Sequence, residues 1–128
     1  LITYKNVTTR KDTADASTTQ TIAHGMGKVA NFVKFSILAA GQGPSSSMVS
    51  TILAIYNGTT SSVIGFAYAN GALRDLSGSS IKLLGPTTGT EIEFQTGVIT
   101  YDATNLTITW TKTNSPTGTY SILWETYS

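Results

Sequence analysis

One histidine, seven carboxylates and no cysteine are the whole stock from which this 128-residue chain could build a reactive centre. His24 stands in the run Ile22-Ala23-His24-Gly25-Met26-Gly27. A His-Gly-rich loop can supply an oxyanion hole, but that chemistry also needs a nucleophile on a Gly-x-Ser-x-Gly turn, and the chain has none. The plainer reading is a structural turn: Gly25 and Gly27 take positive φ, and His24 hydrogen-bonds to backbone at the turn's edge. Glu91 and Glu93 form a close carboxylate pair, and alternate strand residues about 7 Å apart can flank a glycosidic bond. A general acid needs partial burial, and neither neighbouring residue implies it, so a solvated strand face is expected. Asp12 with Asp15, and Asp102 with Asn105, lack the acidic spacing of a dedicated calcium loop. The missing cysteines remove thiolate nucleophiles, disulfides and Cys-ligated zinc. No catalytic residue, metal ligand or cofactor is therefore assigned, and the chain is expected not to be an enzyme.

Binding residues are equally sparse. Eight basic against seven acidic residues leave a net charge of +1, without the clustered cations that nucleic acid or an anionic membrane surface requires. The charge-free stretch from Phe35 to Leu73 is broken repeatedly by Gly, Ser and Thr, and it holds no run of about 20 apolar residues to span a bilayer. Parity sends Tyr56, Tyr68, Tyr120, Trp110 and Trp124 inward, which leaves Tyr4 and Tyr127 as exposed aromatics for a glycan or protein partner. Asn6, Asn57 and Asn105 head Asn-x-Thr sequons, a chance outcome in a chain with 37 Ser and Thr. The start at Leu1 is read as a processed or excised product.

The elements that would position these groups are strands. Leu106, Ile108 and Trp110 alternate with threonines, and Tyr120, Ile122 and Trp124 repeat the spacing after the turn Asn114-Ser115-Pro116-Thr117-Gly118, which reads as an antiparallel hairpin. Glu91, Glu93 and Gln95 alternate with Ile92 and Phe94, giving a third strand with one wet face. Phe32 to Ala40 and Met48 to Tyr56 are apolar on both parities, as in a strand central to a sandwich or pressed against a neighbouring chain. Further strands are expected near Leu1 to Val7, Thr18 to Ala23, Ser62 to Tyr68 and Ser80 to Leu84. Turns fall at Asn57-Gly58, Asn70-Gly71, Gly85-Pro86 and Asp102 to Asn105, and Gly41 to Ser47 reads as a loop. About nine short strands form an all-β, two-sheet antiparallel sandwich in a single domain over residues 1–128, with jelly-roll connectivity as one form of it. Residues 1–17 form an N-terminal strand or arm followed by a solvated charged loop containing Arg10, Lys11, Asp12 and Asp15. Ile2, Tyr4 and Val7 would be the assembly strand if the arm completes a neighbour's sheet, as in a pilus-like extracellular filament.

Several runs resemble small β domains of bacteriophage structural proteins. Thr21-Ile22-Ala23-His24-Gly25-Met26-Gly27 followed by Asn31-Phe32-Val33-Lys34-Phe35 is similar to the opening of such domains. Tyr56-Asn57-Gly58-Thr59-Thr60 and Gly65-Phe66-Ala67-Tyr68 resemble the middle, and Asn105 to Thr111 with Tyr120 to Trp124 resemble the closing hairpin. Family members often carry Pro before the Phe-Val strand, where this chain has Ala30-Asn31. The resemblance implies a virion component on the particle exterior, of the tail, fibre or capsid-decoration type, without enzymatic activity. Its partners would be copies of itself, in a homo-oligomer that is a trimer by analogy, and other virion proteins. A lectin-like fibre domain contacting a host-surface glycan is the alternative.

Overall fold

The alternation of large apolar and hydroxyl side chains resolves into ten strands and, among the described residues, no helix. In the computed structural model the described residues are 3–28, 32–39, 48–57, 60–69, 72–86 and 91–128. The strands are β1 (Tyr4–Asp12), β2 (Thr18–Ala23), β3 (Phe32–Ala39), β4 (Met48–Tyr56), β5 (Ser61–Ala69), β6 (Ala72–Asp75), β7 (Ile81–Leu84), β8 (Phe94–Tyr101), β9 (Asn105–Thr113) and β10 (Thr119–Tyr127). They make a six-stranded sheet in the order β1-β10-β3-β4-β5-β6 and a four-stranded sheet in the order β2-β9-β8-β7. All pairings between these strands are antiparallel. The two-sheet antiparallel sandwich read from the period of two is the observed architecture.

Inward parity builds one core between the sheets. Val33, Phe35 and Ile37 of β3, Ile52 and Ala54 of β4, Val63 and Ala67 of β5, and Tyr120, Ile122 and Trp124 of β10 meet Ile81, Leu83, Ile99, Leu106, Ile108 and Trp110 of the smaller sheet. Trp124 packs edge-on against Phe35 at 4.9 Å between ring centroids, and the Tyr120 hydroxyl crosses to the Leu84 carbonyl at 2.8 Å. Gly97 is required by close approach: a Cβ there would lie 2.6 Å from the Trp110 ring. Turn chemistry follows the backbone, with positive φ at Gly25, Gly27, Asn114 and Gly118.

Four sequence expectations are corrected. The charged segment after the first strand is not a solvated loop: β1 runs on through Asp12, and Lys11 is 3% exposed. Lys11 falls on inward parity opposite Tyr120, so its stem is drawn under Trp110, with Nζ 5.5 Å from the ring centroid. The alternation from Glu91 to Gln95 is not one strand with a wet face: residues 91–93 form a turn and β8 starts at Phe94. Gln95 is fully buried because its amide donates to the Thr13 and Asp15 carbonyls, at 2.8 and 2.9 Å, inside the sandwich. Tyr68 is half-exposed, not inward, since inward parity on β5 belongs to Val63, Gly65 and Ala67. The strand β6 is not legible in the sequence, because Ala72-Leu73-Arg74-Asp75 shows no apolar alternation. Ile2, Gly41 to Ser47 and the Asn70-Gly71 turn lie outside the described residues.

The sandwich has two open seams, β1 beside β2 and β6 beside β7. The first is closed at one end by a polar clasp. Gln20 Nε2 donates to the Arg10 carbonyl at 3.0 Å and to Thr9 Oγ1 at 3.2 Å. Its Oε1 accepts from Trp110 Nε1 at 3.3 Å, and Trp124 Nε1 donates to Thr9 Oγ1 at 2.6 Å. Both buried indoles are thereby satisfied by one connection between edge strands.

Candidate functional site

The outward parity of the six-stranded sheet is where this protein departs from an ordinary sandwich. The strand register places Leu38 opposite Thr51, Thr51 opposite Phe66, Leu53 opposite Ile64, and Tyr68 opposite Leu73. Leu38, Ile64, Phe66, Tyr68 and Leu73 are 58, 68, 46, 51 and 70% exposed. Five large apolar side chains at that exposure present on the order of 500 Å² of apolar surface, at the upper end for a patch on a monomeric protein. The reason for apolar residues on both parities of β3 to β5 is now visible. One set fills the core; of the other, Leu38, Ile64, Phe66 and Tyr68 lie bare on the outer face.

The other half of the same face, on β1, β10 and the near edge of β3, is polar. Asn6, Glu125 and Lys34 stand side by side across three strands. Lys34 Nζ lies 3.9 Å from Glu125 Oε2, and the Tyr127 hydroxyl donates to the same oxygen at 3.3 Å. Loss of hydration and the nearby Glu125 charge push the Tyr127 phenol above its ordinary value. Tyr4 and Tyr127, expected as contact aromatics, meet at one corner with centroids 5.0 Å apart, and Phe32 packs edge-on against Tyr127 at 5.7 Å. These rings spend much of their faces on one another.

The candidate chemical residues are dispersed. His24 is buried at the end of β2. Its backbone N–H donates to the Thr104 carbonyl at 3.0 Å. Its Nδ1 accepts from the Met26 N–H at 3.2 Å, so the ring proton sits on Nε2 and points to the Asp102 carbonyl at 2.9 Å. Both ring nitrogens are thus used in joining two turns, with Gly25 and Gly27 supplying the positive φ. Asp102 caps its turn by accepting from Thr104 and Asn105 N–H groups, at 2.8 and 2.7 Å, which hold its carboxyl below the ordinary value. Asp12 accepts from Ala14 N–H at 2.9 Å. Glu91 pairs with Arg74 at 2.9 Å over a cleft of about 280 Å³ at the β6/β7 seam, a partly exposed pair of modest energetic weight. Among the described residues no three His, Asp or Glu side chains converge as a metal site, and no helix is long and apolar enough to cross a membrane. A second cleft of about 200 Å³ lies at the β1/β2 seam. Sequence reasoning missed Ile64, Phe66 and Leu73 as surface residues. For Ile64 and Phe66 the strict alternation with Val63, Gly65 and Ala67 was the available signal; Leu73, on β6, had none.

No protein-family model matches the chain, and no curated protein sequence matches it. Among solved structures, the chain is similar to the tailspike protein gp49 from Acinetobacter baumannii bacteriophage Fri1, described as a capsular polysaccharide depolymerase. The match has 9% identity and a TM-score of 0.39, over 99% of this chain and 18% of that one. It is also similar to the Acinetobacter phage vB_ApiP_P1 tailspike protein, at 11% identity and a TM-score of 0.35, over 91% of this chain and 20% of that one. The chain spans about a fifth of the length of each, and likeness at this level assigns no activity to it. One expectation is nevertheless corrected: the first of these proteins is an enzyme, so the exclusion of catalysis made from the sequence does not stand.

Proposed function

We propose that the chain is a structural domain of a phage tail or fibre, on the virion exterior, that assembles with copies of itself through the apolar half of the six-stranded sheet's outer face. The observation that carries this reading is the exposed set Leu38, Ile64, Phe66, Tyr68 and Leu73. A patch at the upper end of the monomer range is often a contact surface, and copies of one chain supply a like surface at equal concentration. A specific interface buries roughly 800 Å² per partner, and the patch with its polar rim is of that order. The motifs from Thr21 to Trp124 that resemble phage structural β domains support the same reading.

Gel filtration with light scattering tests it. The wild-type protein is expected to run as an oligomer. Ile64→Glu combined with Leu73→Glu should yield folded monomer, since both side chains are outward and more than two thirds exposed. A monomeric wild type, or an oligomer untouched by the double substitution, would defeat the proposal.

A further inference from the structure

The first strand offers a second surface. Thr3 and Ser128 exchange N–H to carbonyl bonds in both directions, at 3.1 and 3.0 Å. Alternation along an antiparallel ladder then directs Lys5, Val7 and Thr9 to β10, and turns the main-chain groups of Tyr4, Asn6, Thr8 and Arg10 to the open edge. The Arg10 carbonyl, already taken by Gln20 Nε2, confirms that direction. The free stretch therefore runs from Tyr4 to Thr8. At nine residues β1 is the longest of the four edge strands, against six for β2 and four each for β6 and β7.

Beneath this stretch lies the cleft of about 200 Å³, with Val7, Ile22 and Leu106 as its apolar lining and Lys5 and Asn6 at its rim. Lys5 has no ion-pair partner among the described residues. Along the free stretch from Tyr4 to Thr8 the strand carries Lys5 and no acid, with Arg10 just beyond it. Cations on an edge disfavour pairing with a second copy of the same strand, and the same charges favour a strand that carries a carboxylate.

We propose that the open edge of β1 receives an extended segment of a different polypeptide, alternately apolar and bearing a carboxylate that reaches Lys5, by addition of a strand to the six-stranded sheet. Main-chain bonds to Tyr4, Asn6 and Thr8 supply affinity, the cleft takes alternate side chains, and Lys5 selects the acid. The strand that the pilus-like alternative would lend to a neighbour is here hydrogen-bonded to β10 from Tyr4 to Asp12, and its remaining edge is the acceptor. This deepens the assembly reading by naming a partner other than a second copy, at a separate surface.

The test is an amide-resolved NMR titration of the whole chain with the peptide Thr-Val-Thr-Val-Thr-Glu-Thr-Val-Thr. Shifts should centre on Tyr4 to Thr8 and Ile22 to His24, with slowed amide exchange at Asn6 and Thr8. Lys5→Glu should weaken binding at least tenfold and transfer the preference to the peptide with Lys in place of Glu. Alternate N-methylation on the pairing side of the peptide should abolish binding. Absence of shifts at millimolar peptide, or binding indifferent to N-methylation or to Lys5→Glu, would overturn the proposal. Protection of Asn6 and Thr8 that grows with protein concentration alone would also overturn it, by showing that a second copy occupies the edge. The Ile64→Glu, Leu73→Glu protein should bind the peptide unchanged, which separates failure here from failure of self-assembly.

Discussion

Lys11 shows how a single side chain can sit against its sequence context. Within Arg10, Lys11, Asp12 and Asp15 it reads as part of a wet loop, yet β1 continues and carries it under Trp110. Its ammonium is buried without a hydrogen-bond partner. Burial lowers its pKa, Asp15 and Asp12 oppose that shift, and Lys112 adds to it. The folded chain thus releases this proton more readily than the unfolded one, so the unfolded state binds more protons and stability rises with pH, from the lowered folded value up to the ordinary 10.5. Lys11→Met keeps the stem on Trp110 and removes the charge. Thermal unfolding should show a gain of about 1 kcal/mol at neutral pH and loss of the rise on the alkaline side. An unchanged or lower Tm for the variant would refute the assignment. His24, by contrast, was legible, because two flanking glycines announce a turn whose tight backbone leaves the imidazole among main-chain groups. Gln95 was not, since its carbonyl partners on Thr13 and Asp15 lie about 80 residues away in the chain.

Strands explain which parts of the fold could be read in advance. Where one face meets water and the other the core, as in β9 and β10, a period of two shows both the strand and its inward side. Where both parities are apolar, as in β3 to β5, sequence leaves two readings, and the exposed outer set is the surface that the proposed neighbour would cover. Edge strands differ in legibility: β7 shows itself by Ile81, Leu83 and Leu84, whereas β6, of the same length, has no apolar alternation in Ala72-Leu73-Arg74-Asp75. The edges are also held by side chains that no local pattern reveals. Gln20 of β2 joins Thr9, Arg10 and Trp110; Gln20→Leu should leave the indole N–H without its acceptor and lower unfolding stability in urea by about 2 kcal/mol. A loss under about 0.5 kcal/mol, within the usual effect of surface substitutions, would mean that the clasp is not what closes the seam.

Taken as a molecule, the protein is asymmetric. Its smaller sheet turns a threonine-rich face outward, while the larger sheet carries an apolar half, a polar half and one long edge whose free stretch bears Lys5. That division separates two kinds of contact, a broad face suited to like subunits and an edge suited to an extended partner. Few charges and a hydroxyl-rich surface leave the apolar half as the dominant feature for association. A high-resolution electron-microscopy structure of the native assembly tests the central claim most directly. It should show Leu38, Ile64, Phe66 and Leu73 covered at the contact between copies; an assembly in which those four side chains face solvent would contradict it.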